Sequence, residues 1–280
     1  MRILVTGASG FIGLAITNGL AKAGHRVRAA SRTVTVEIPG AEWMELPDLR
    51  HGVDWGPLLD GIDCVIHLAA IAHRGYNKSG HARANHAATT SLVQACVVQN
   101  IKRLIFISSI SAQAGSAANY VVTENDEPRP VTDYDRTKLA AEEEIKHSSV
   151  PYTILRPVLV YGPGAKGNIA LMMRIARLPL PLGAFRNRRS LLSVDNLVQA
   201  VMVCLDNSKT ISRTFIVCDS EPLTIVEMIA AMREGAGRPA NLISIPPAAI
   251  RSLLIAAGYR KLWDRVGGGN SWPVQASLRR

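Results

Sequence analysis

The chain has 280 residues, 48% of them hydrophobic, enough for a nucleotide-binding domain with its own core plus a smaller lobe. Charged residues make up 19%, too few for a disordered chain, and no apolar run reaches the roughly 18 residues of a membrane span. The formal charge of +10 is scattered and aromatics are only 5%, which argues against nucleic acid and leaves a small polyanionic ligand or a basic, solvated surface.

Met1-Arg2-Ile3-Leu4-Val5 is not a signal peptide, since its apolar run stops at Thr6-Gly7, and a cytoplasmic protein is expected. The predicted elements begin with a strand at Arg2–Thr6, a helix at Phe11–Ala23 and strands at His25–Ala30 and Ala41–Leu46. Cys64–Leu68 is a continuous apolar run, as in a strand covered on both faces. A long helix over Ala82–Gln99, a strand at Leu104–Ser109, a helix at Tyr134–His147 and a strand at Tyr152–Arg156 follow. This alternation predicts an α/β fold, a Rossmann-type doubly wound parallel sheet with helices on both faces, over residues 1–165. After Tyr161-Gly162-Pro163-Gly164 the rhythm changes. Helices at Ile169–Ala176, Asp195–Leu205, Thr224–Glu234 and Pro247–Ala257, with one strand at Thr214–Val217, predict a smaller, mostly helical substrate lobe over 166–280, interleaved with the first domain. Cys64, Cys96, Cys204 and Cys218 form no C-x-x-C pair and read as buried thiols; no metal site is expected.

Thr6-Gly7-Ala8-Ser9-Gly10-Phe11-Ile12-Gly13 joins the first strand to the first helix. In such a loop the first glycine permits the turn, the second lets the backbone approach a pyrophosphate, and the third lets helix and strand pack closely. The helix amino terminus then faces the phosphates. Gly7, Ser9, Gly10, Phe11, Ile12 and Gly13 are therefore candidate cofactor contacts. At the end of the second strand no carboxylate is present to bind the ribose 2′-hydroxyl of NAD. Ser31 and Arg32 stand there instead and can grip a 2′-phosphate, which favours NADP over NAD. Asp48 stands where an adenine amino group could be read, and Leu68, Ala69 and Ala70 end the fourth strand beside the cofactor, with His67 structural. His73, His81 and His86 show no metal spacing.

Tyr134 and Lys138 are one helical turn apart and face the same way. A free phenol, with a pKa of about 10, is a poor base at neutral pH; a neighbouring ammonium and an oxidised nicotinamide both stabilise phenolate. Lowering that pKa by about three units takes roughly 4 kcal/mol. The phenol can then exchange a proton with a substrate hydroxyl or carbonyl while the cofactor exchanges hydride. A strand-end serine, Ser108 or Ser109, is placed to polarise the substrate oxygen.

The loop TGASGFIG, the segment HLAA, the strand-end serines and YDRTK, in that order, resemble the extended short-chain dehydrogenase/reductases, and more narrowly the NAD-dependent epimerase/dehydratase family of UDP-glucose 4-epimerase. The segments RPVLVYGPGAKGN, LPLG and NRRSLLSVDNLVQA are similar to bacterial members of surface-polysaccharide synthesis, 4-keto reductases among them. The resemblance implies Tyr134 as acid/base, Lys138 as its partner and Ser109 as the third member; counting back from Gly115 would instead select Ile110. It also implies Asn168 and Arg189 at a nucleotide diphosphate and the backbone near Leu182 at the uracil. A guanidinium at Arg189 suits a diphosphate by its own chemistry, whereas Asn168 is equally an N-cap. The implied activity is NAD(P)-dependent chemistry at C4 of a UDP-linked sugar, with 4-keto reduction favoured over 4-epimerisation because of Ser31-Arg32, and a homodimer through Ala82–Gln99 and Tyr134–His147. A reductase of a non-sugar ketone and a silent NADP-binding protein are the remaining alternatives. The C-terminal GGGNSWPVQASLRR departs from the family's Gly-Trp-x-Pro ending.

Overall fold

The computed structural model describes residues 1–33, 36–70, 82–115, 118, 120–165, 167–178, 182–183, 188–219, 221–240, 244–245 and 247–256. A parallel sheet organises them. Its strands are β1 (Arg2–Thr6), β2 (Arg26–Ser31), β3 (Ala41–Glu45), β4 (Cys64–His67), β5 (Arg103–Ile107), β6 (Tyr152–Pro157) and β11 (Arg213–Val217), in the order β3-β2-β1-β4-β5-β6-β11. Every pairing between them is parallel. Side chains alternate across the sheet, so β1 sends Ile3 and Val5 into one core and Leu4 into another. The first core is closed by α1 (Phe11–Lys22) and α7 (Val194–Asp206), the second by α3 (Ala88–Val98) and α5 (Asp133–His147). Burial on both faces explains the continuous apolar strands. Strand order reverses between β2-β1 and β4, and at this switch point such sheets bind ligands.

The expected Rossmann-type sheet is present, with three local differences. The helix expected over Ala82–Gln99 is in two parts: a π-helical turn at Ala82–Ala87 and then α3. Hydrophobic spacing does not distinguish a wide turn from an ordinary one; the threonine hydroxyls here back-bond to the wide turn, Thr89 to Asn85 O at 2.6 Å and Thr90 to His86 O at 3.2 Å. Two short helices, α2 (Gly56–Leu59) and α4 (Ile110–Ala114), carry too little sequence for periodicity to mark them. The strand expected at Thr214–Val217 inside the lobe is β11, the edge strand of the main sheet, and α7 packs on α1. A Cβ at Gly19 on α1 would stand 2.5 Å from Val198 Cγ1, so this helix contact needs glycine there. Buried Arg103 fastens the return by donating to Cys204 O at 2.6 Å, Asn207 O at 3.1 Å and the Thr210 hydroxyl.

The smaller lobe packs α6 (Asn168–Ala176) against α8 (Ile225–Gly235) over Ala176, Ile225 and Ile229. Buried Arg233 closes the end of α6, donating to Ala176 O at 3.2 Å and Leu178 O at 2.7 Å. Short strand pairs complete it: β7 (Leu159–Tyr161) with β10 (Leu191–Ser193), β9 (Arg188–Arg189) with β12 (Leu223–Thr224), and β8 (Leu182–Gly183) with β13 (Ser244–Ile245). The last described helix is α9 (Pro247–Ala256). No helix among the described residues is long and apolar enough to cross a membrane.

A neutral polar chain runs through the second core. The Thr89 hydroxyl gives its one proton to Asn85 O, so His67 Nε2 is the donor to Thr89 Oγ1 at 3.1 Å. His67 Nδ1 is then an acceptor and takes the Thr6 hydroxyl proton at 2.7 Å. Thr6 Oγ1 in turn accepts the Leu68 and Ala69 N–H groups, each at 3.2 Å. His67 stacks on Phe106, with ring centroids 5.7 Å apart, and meets the edge of Trp55. Burial and, secondarily, the Lys138 charge push the imidazole down to about 3, so it is neutral at physiological pH, as the structural role expected for it requires. In the unfolded chain histidine titrates near 6.5. Between these values the unfolded state binds more protons, so stability falls as pH falls from about 6.5 toward 3. A His67→Gln variant should show a flatter dependence of the urea midpoint on pH in that window; an unchanged slope would count against this account.

Candidate active site

The turn between β1 and α1 requires its first and third glycines. Gly7 has φ +72°, and a Cβ there would press on the Ala69 backbone at 3.0 Å. At Gly13 a Cβ would stand 2.2 Å from Gly7 O, so α1 can lie this close to β1 only with glycine. Gly10 is exposed and N-caps α1; among the described residues no side chain caps this helix end, and its first turn carries no acidic residue. An electropositive cradle without a competing carboxylate fits a pyrophosphate. Ser9, Phe11 and Ile12 are half-buried around it. At the end of β2, Ser31 is buried and its hydroxyl donates to Thr33 O at 2.7 Å, while Arg32 is exposed. Beyond β3, Asp48 accepts Arg50 Nε at 3.0 Å and the Arg50 N–H at 3.0 Å, and these bonds hold its carboxyl well below the usual range. An adenine amino group would share this carboxylate with Arg50. Leu68, Ala69 and Ala70 follow β4 opposite Gly7, the N–H groups of the first two held by Thr6.

Helix α5 starts at a capping box. Thr132 Oγ1 accepts the Asp135 N–H at 3.2 Å, and the Asp135 carboxylate accepts the Thr132 N–H at 2.8 Å. This places Tyr134 in the first turn and Lys138 in the next, buried against the end of β5. Lys138 Nζ donates to Ile107 O at 2.9 Å and stands 4.4 Å from the centroid of the Phe106 ring. Burial drives the ammonium down to about 8, with the Glu142 carboxylate opposing it. Burial, aided by Asp135, pushes the Tyr134 phenol up to about 12. The expected lowering of the phenol by Lys138 is not met within the protein alone: burial and Asp135 both raise it.

The two strand-end serines divide. Ser108 is buried and donates its hydroxyl to Glu142. Ser109 is half-buried and caps α4; its Oγ accepts the Ser111 N–H at 3.2 Å and lies 3.0 Å from Ser111 Oγ. Ile110, the alternative from counting back, is a buried core residue. Sequence reasoning missed the residues that seat α5. Glu142 and Arg156 form a buried ion pair, Nε to Oε1 and Oε2 at 3.0 and 3.1 Å, and Arg156 also donates to Gln113. Asn85, in the π-helical turn, donates to Thr137 at 3.3 Å. An acidic residue four after Lys138 was the available signal.

On the substrate side, the turn after β7 touches the dinucleotide loop, since a Cβ at Gly162 would come within 3.6 Å of Phe11. A cavity of about 490 Å³ opens there, lined by Tyr161, Gly164, Ile169, Met173, Arg174 and Met232 among others. Asn168 is the first residue of α6 beside it, and Leu182 lies in β8; their side chains are outside the described residues, as are 180–181, 187 and the C-terminal segment 257–280. Arg189, half-buried in β9, is lowered by burial, and its neighbour Arg188 is held by Pro222 O at 2.8 Å.

A glycine cradle at the switch point, with Lys138 buried at the end of β5 and half-buried Tyr134 one turn before it on α5, fits an enzyme of dinucleotide-dependent oxidoreduction. Residues 3–218 match the NAD dependent epimerase/dehydratase family, and the chain belongs to that family. It is 32% identical over 258 residues to a UDP-glucose 4-epimerase of Vibrio cholerae, covering 87% of this chain and 78% of that one. It is 28% identical over 265 residues to a 2-alkyl-3-oxoalkanoate reductase of Stenotrophomonas maltophilia, covering 85% and 77%. The structure of MoeE5 in complex with UDP-glucuronic acid and NAD is similar, with a TM-score of 0.77 at 25% identity over 99% of this chain and 90% of that one. Gly13→Ala should cost about 1–3 kcal/mol through overpacking. It should also weaken dinucleotide binding, read by thermal melting and by titration with NAD; an unchanged melt would show that α1 yields freely at this contact.

Proposed function

We propose that the protein acts at C4 of a UDP-linked sugar as a 4-epimerase, with Tyr134, Lys138 and Ser109 as its catalytic residues. The observation that carries this is Lys138 buried on the strand end that leads to Ser109, with Tyr134 one helical turn before it, in a chain similar over most of its length to a UDP-glucose 4-epimerase. NAD, which the turn at Gly7–Gly13 would hold, would supply reversible hydride transfer at C4. Tyr134 accepts the hydroxyl proton, and the Ser109 hydroxyl bonds the same oxygen. With its phenol at about 12, Tyr134 waits as the protonated acid; it becomes a base when a cationic nicotinamide and Lys138 act on it together. Lys138, at about 8, carries its charge below that pH and loses it above. Asn168, Arg189 and the backbone at Leu182 would hold the UDP beside the cavity at Tyr161.

A second reading, 4-keto reduction with NADPH, is favoured by one feature. No carboxylate ends β2, and Arg32 is exposed where a 2′-phosphate would lie, although the Ser31 hydroxyl is engaged by Thr33. Two incubations separate the readings. UDP-glucose without added cofactor should give UDP-galactose. UDP-4-keto-6-deoxy-N-acetylglucosamine with NADPH should leave NADPH unconsumed. The reverse pattern would replace the epimerase by the reductase.

In either case Tyr134→Phe should abolish turnover and leave NAD affinity within a few-fold, since the phosphates are held at Gly7–Gly13. Residual activity near that of the unmodified protein would remove Tyr134 from its role. Should NADPH bind more tightly than NADH, Arg32→Ala should reduce that preference by about 1.5–3 kcal/mol, the scale of a hydrogen bond to a charged group; an unaltered ratio in competitive titrations would clear Arg32 of selecting the cofactor.

A further inference from the structure

Glu142 has no exposed surface, and its ion-pair partner Arg156 is 2% exposed. A buried pair of this kind is seldom retained for stability, because desolvation consumes most of the Coulombic gain. Its placement suggests another role. Tyr134, Lys138 and Glu142 follow one another at four-residue steps along one face of α5. The helix grips the end of β5 at two consecutive residues: Lys138 Nζ donates to Ile107 O at 2.9 Å, and Ser108 donates to Glu142. The next residue of the strand end is Ser109.

The surroundings of Lys138 are otherwise poor in negative charge. From β4 it faces His67, held neutral; from β5 the Phe106 ring; and on β6 stands the Arg156 cation. On its own helix Tyr134 is protonated, and the Asp135 carboxylate is engaged by the Val131 and Thr132 N–H groups at 3.2 and 2.8 Å. Glu142 is the carboxylate that acts on the buried ammonium, opposing the effect of burial.

We propose that Glu142 is a positioning residue for the reaction: clasped by Arg156 and Ser108, it keeps Lys138 cationic and seated on Ile107 beside Tyr134. This rests on the reading that Lys138 serves a bound dinucleotide. The test compares Glu142→Gln, which keeps an acceptor for Ser108, with the double variant Glu142→Gln/Arg156→Met, which leaves no charge unpaired. Dinucleotide affinity is measured from pH 6 to 10 by calorimetric titration, and turnover is followed over the same range where a substrate is known. In the unmodified protein both should fall as pH rises through about 8. In the double variant the fall should move to lower pH by about one unit, a tenfold weaker hold on the proton. In the single variant it should move further, since Arg156 then repels Lys138 unopposed. Removing one partner of a buried pair costs stability, so the double variant carries the decision. A folded double variant with an unmoved limb overturns the proposal. So does a double variant that fails to fold, for the pair would then serve the fold alone. The affinity limb needs no sugar, so an absence of turnover with UDP-sugars would count against the proposed function and leave this inference standing or falling by itself.

Discussion

Helix α5 is fixed to the carboxyl end of β5, and the geometry of the candidate active site depends on this contact. An ammonium, Lys138, closes on the Ile107 carbonyl, and a carboxylate, Glu142, closes on the Ser108 hydroxyl. Hydrogen bonds to charged groups are stronger and more directional than neutral ones. Bonded at two adjacent strand residues, the helix is constrained from sliding or turning without breaking both. Tyr134 is thereby held near the strand end that presents Ser109. Arg156 supplies the countercharge from β6 and reaches Gln113 on α4, so the helix that Ser109 caps belongs to the same assembly.

A second, uncharged network joins the cofactor turn to the same helix. It runs from Thr6 through His67 and Thr89 to Asn85, and Asn85 bonds Thr137 on α5. Each of these polar groups is buried or nearly so, and one left without a partner would cost about 1–3 kcal/mol. Their proton directions are mutually determined, which selects one histidine tautomer and holds the Leu68 and Ala69 N–H groups on Thr6. Asn85 lies in the π-helical turn.

The phosphate side rests on backbone alone. Between Gly7 and Gly13 there is no room for a methyl group, and the free end of α1 supplies N–H groups. A pyrophosphate held there would leave the ribose hydroxyl or 2′-phosphate to be recognised elsewhere. At the end of β2, Ser31 turns inward to Thr33 and Arg32 is exposed to solvent.

Much of this was legible in the chain. The strands of the sheet through β6 and the main helices show in hydrophobic spacing because both faces of the sheet are covered. Gly7 and Gly13 show because a side chain would strain the one and clash at the other, and Tyr134 and Lys138 because one helical turn separates them. What sequence could not supply depends on partners distant along the chain. Glu142, in a helix rich in Ala, Glu and Lys, reads as a solvated charge until Arg156 arrives from β6 to bury it. The strand at Arg213–Val217 reads as part of the lobe until α7 returns it to the sheet edge. Nor does spacing tell a π-helical turn from an α-helical one. Local pattern determines which elements form and which residues share a face. Only packing decides which buried charges meet, because the free energy of a charge is set by its neighbours in space and not along the chain.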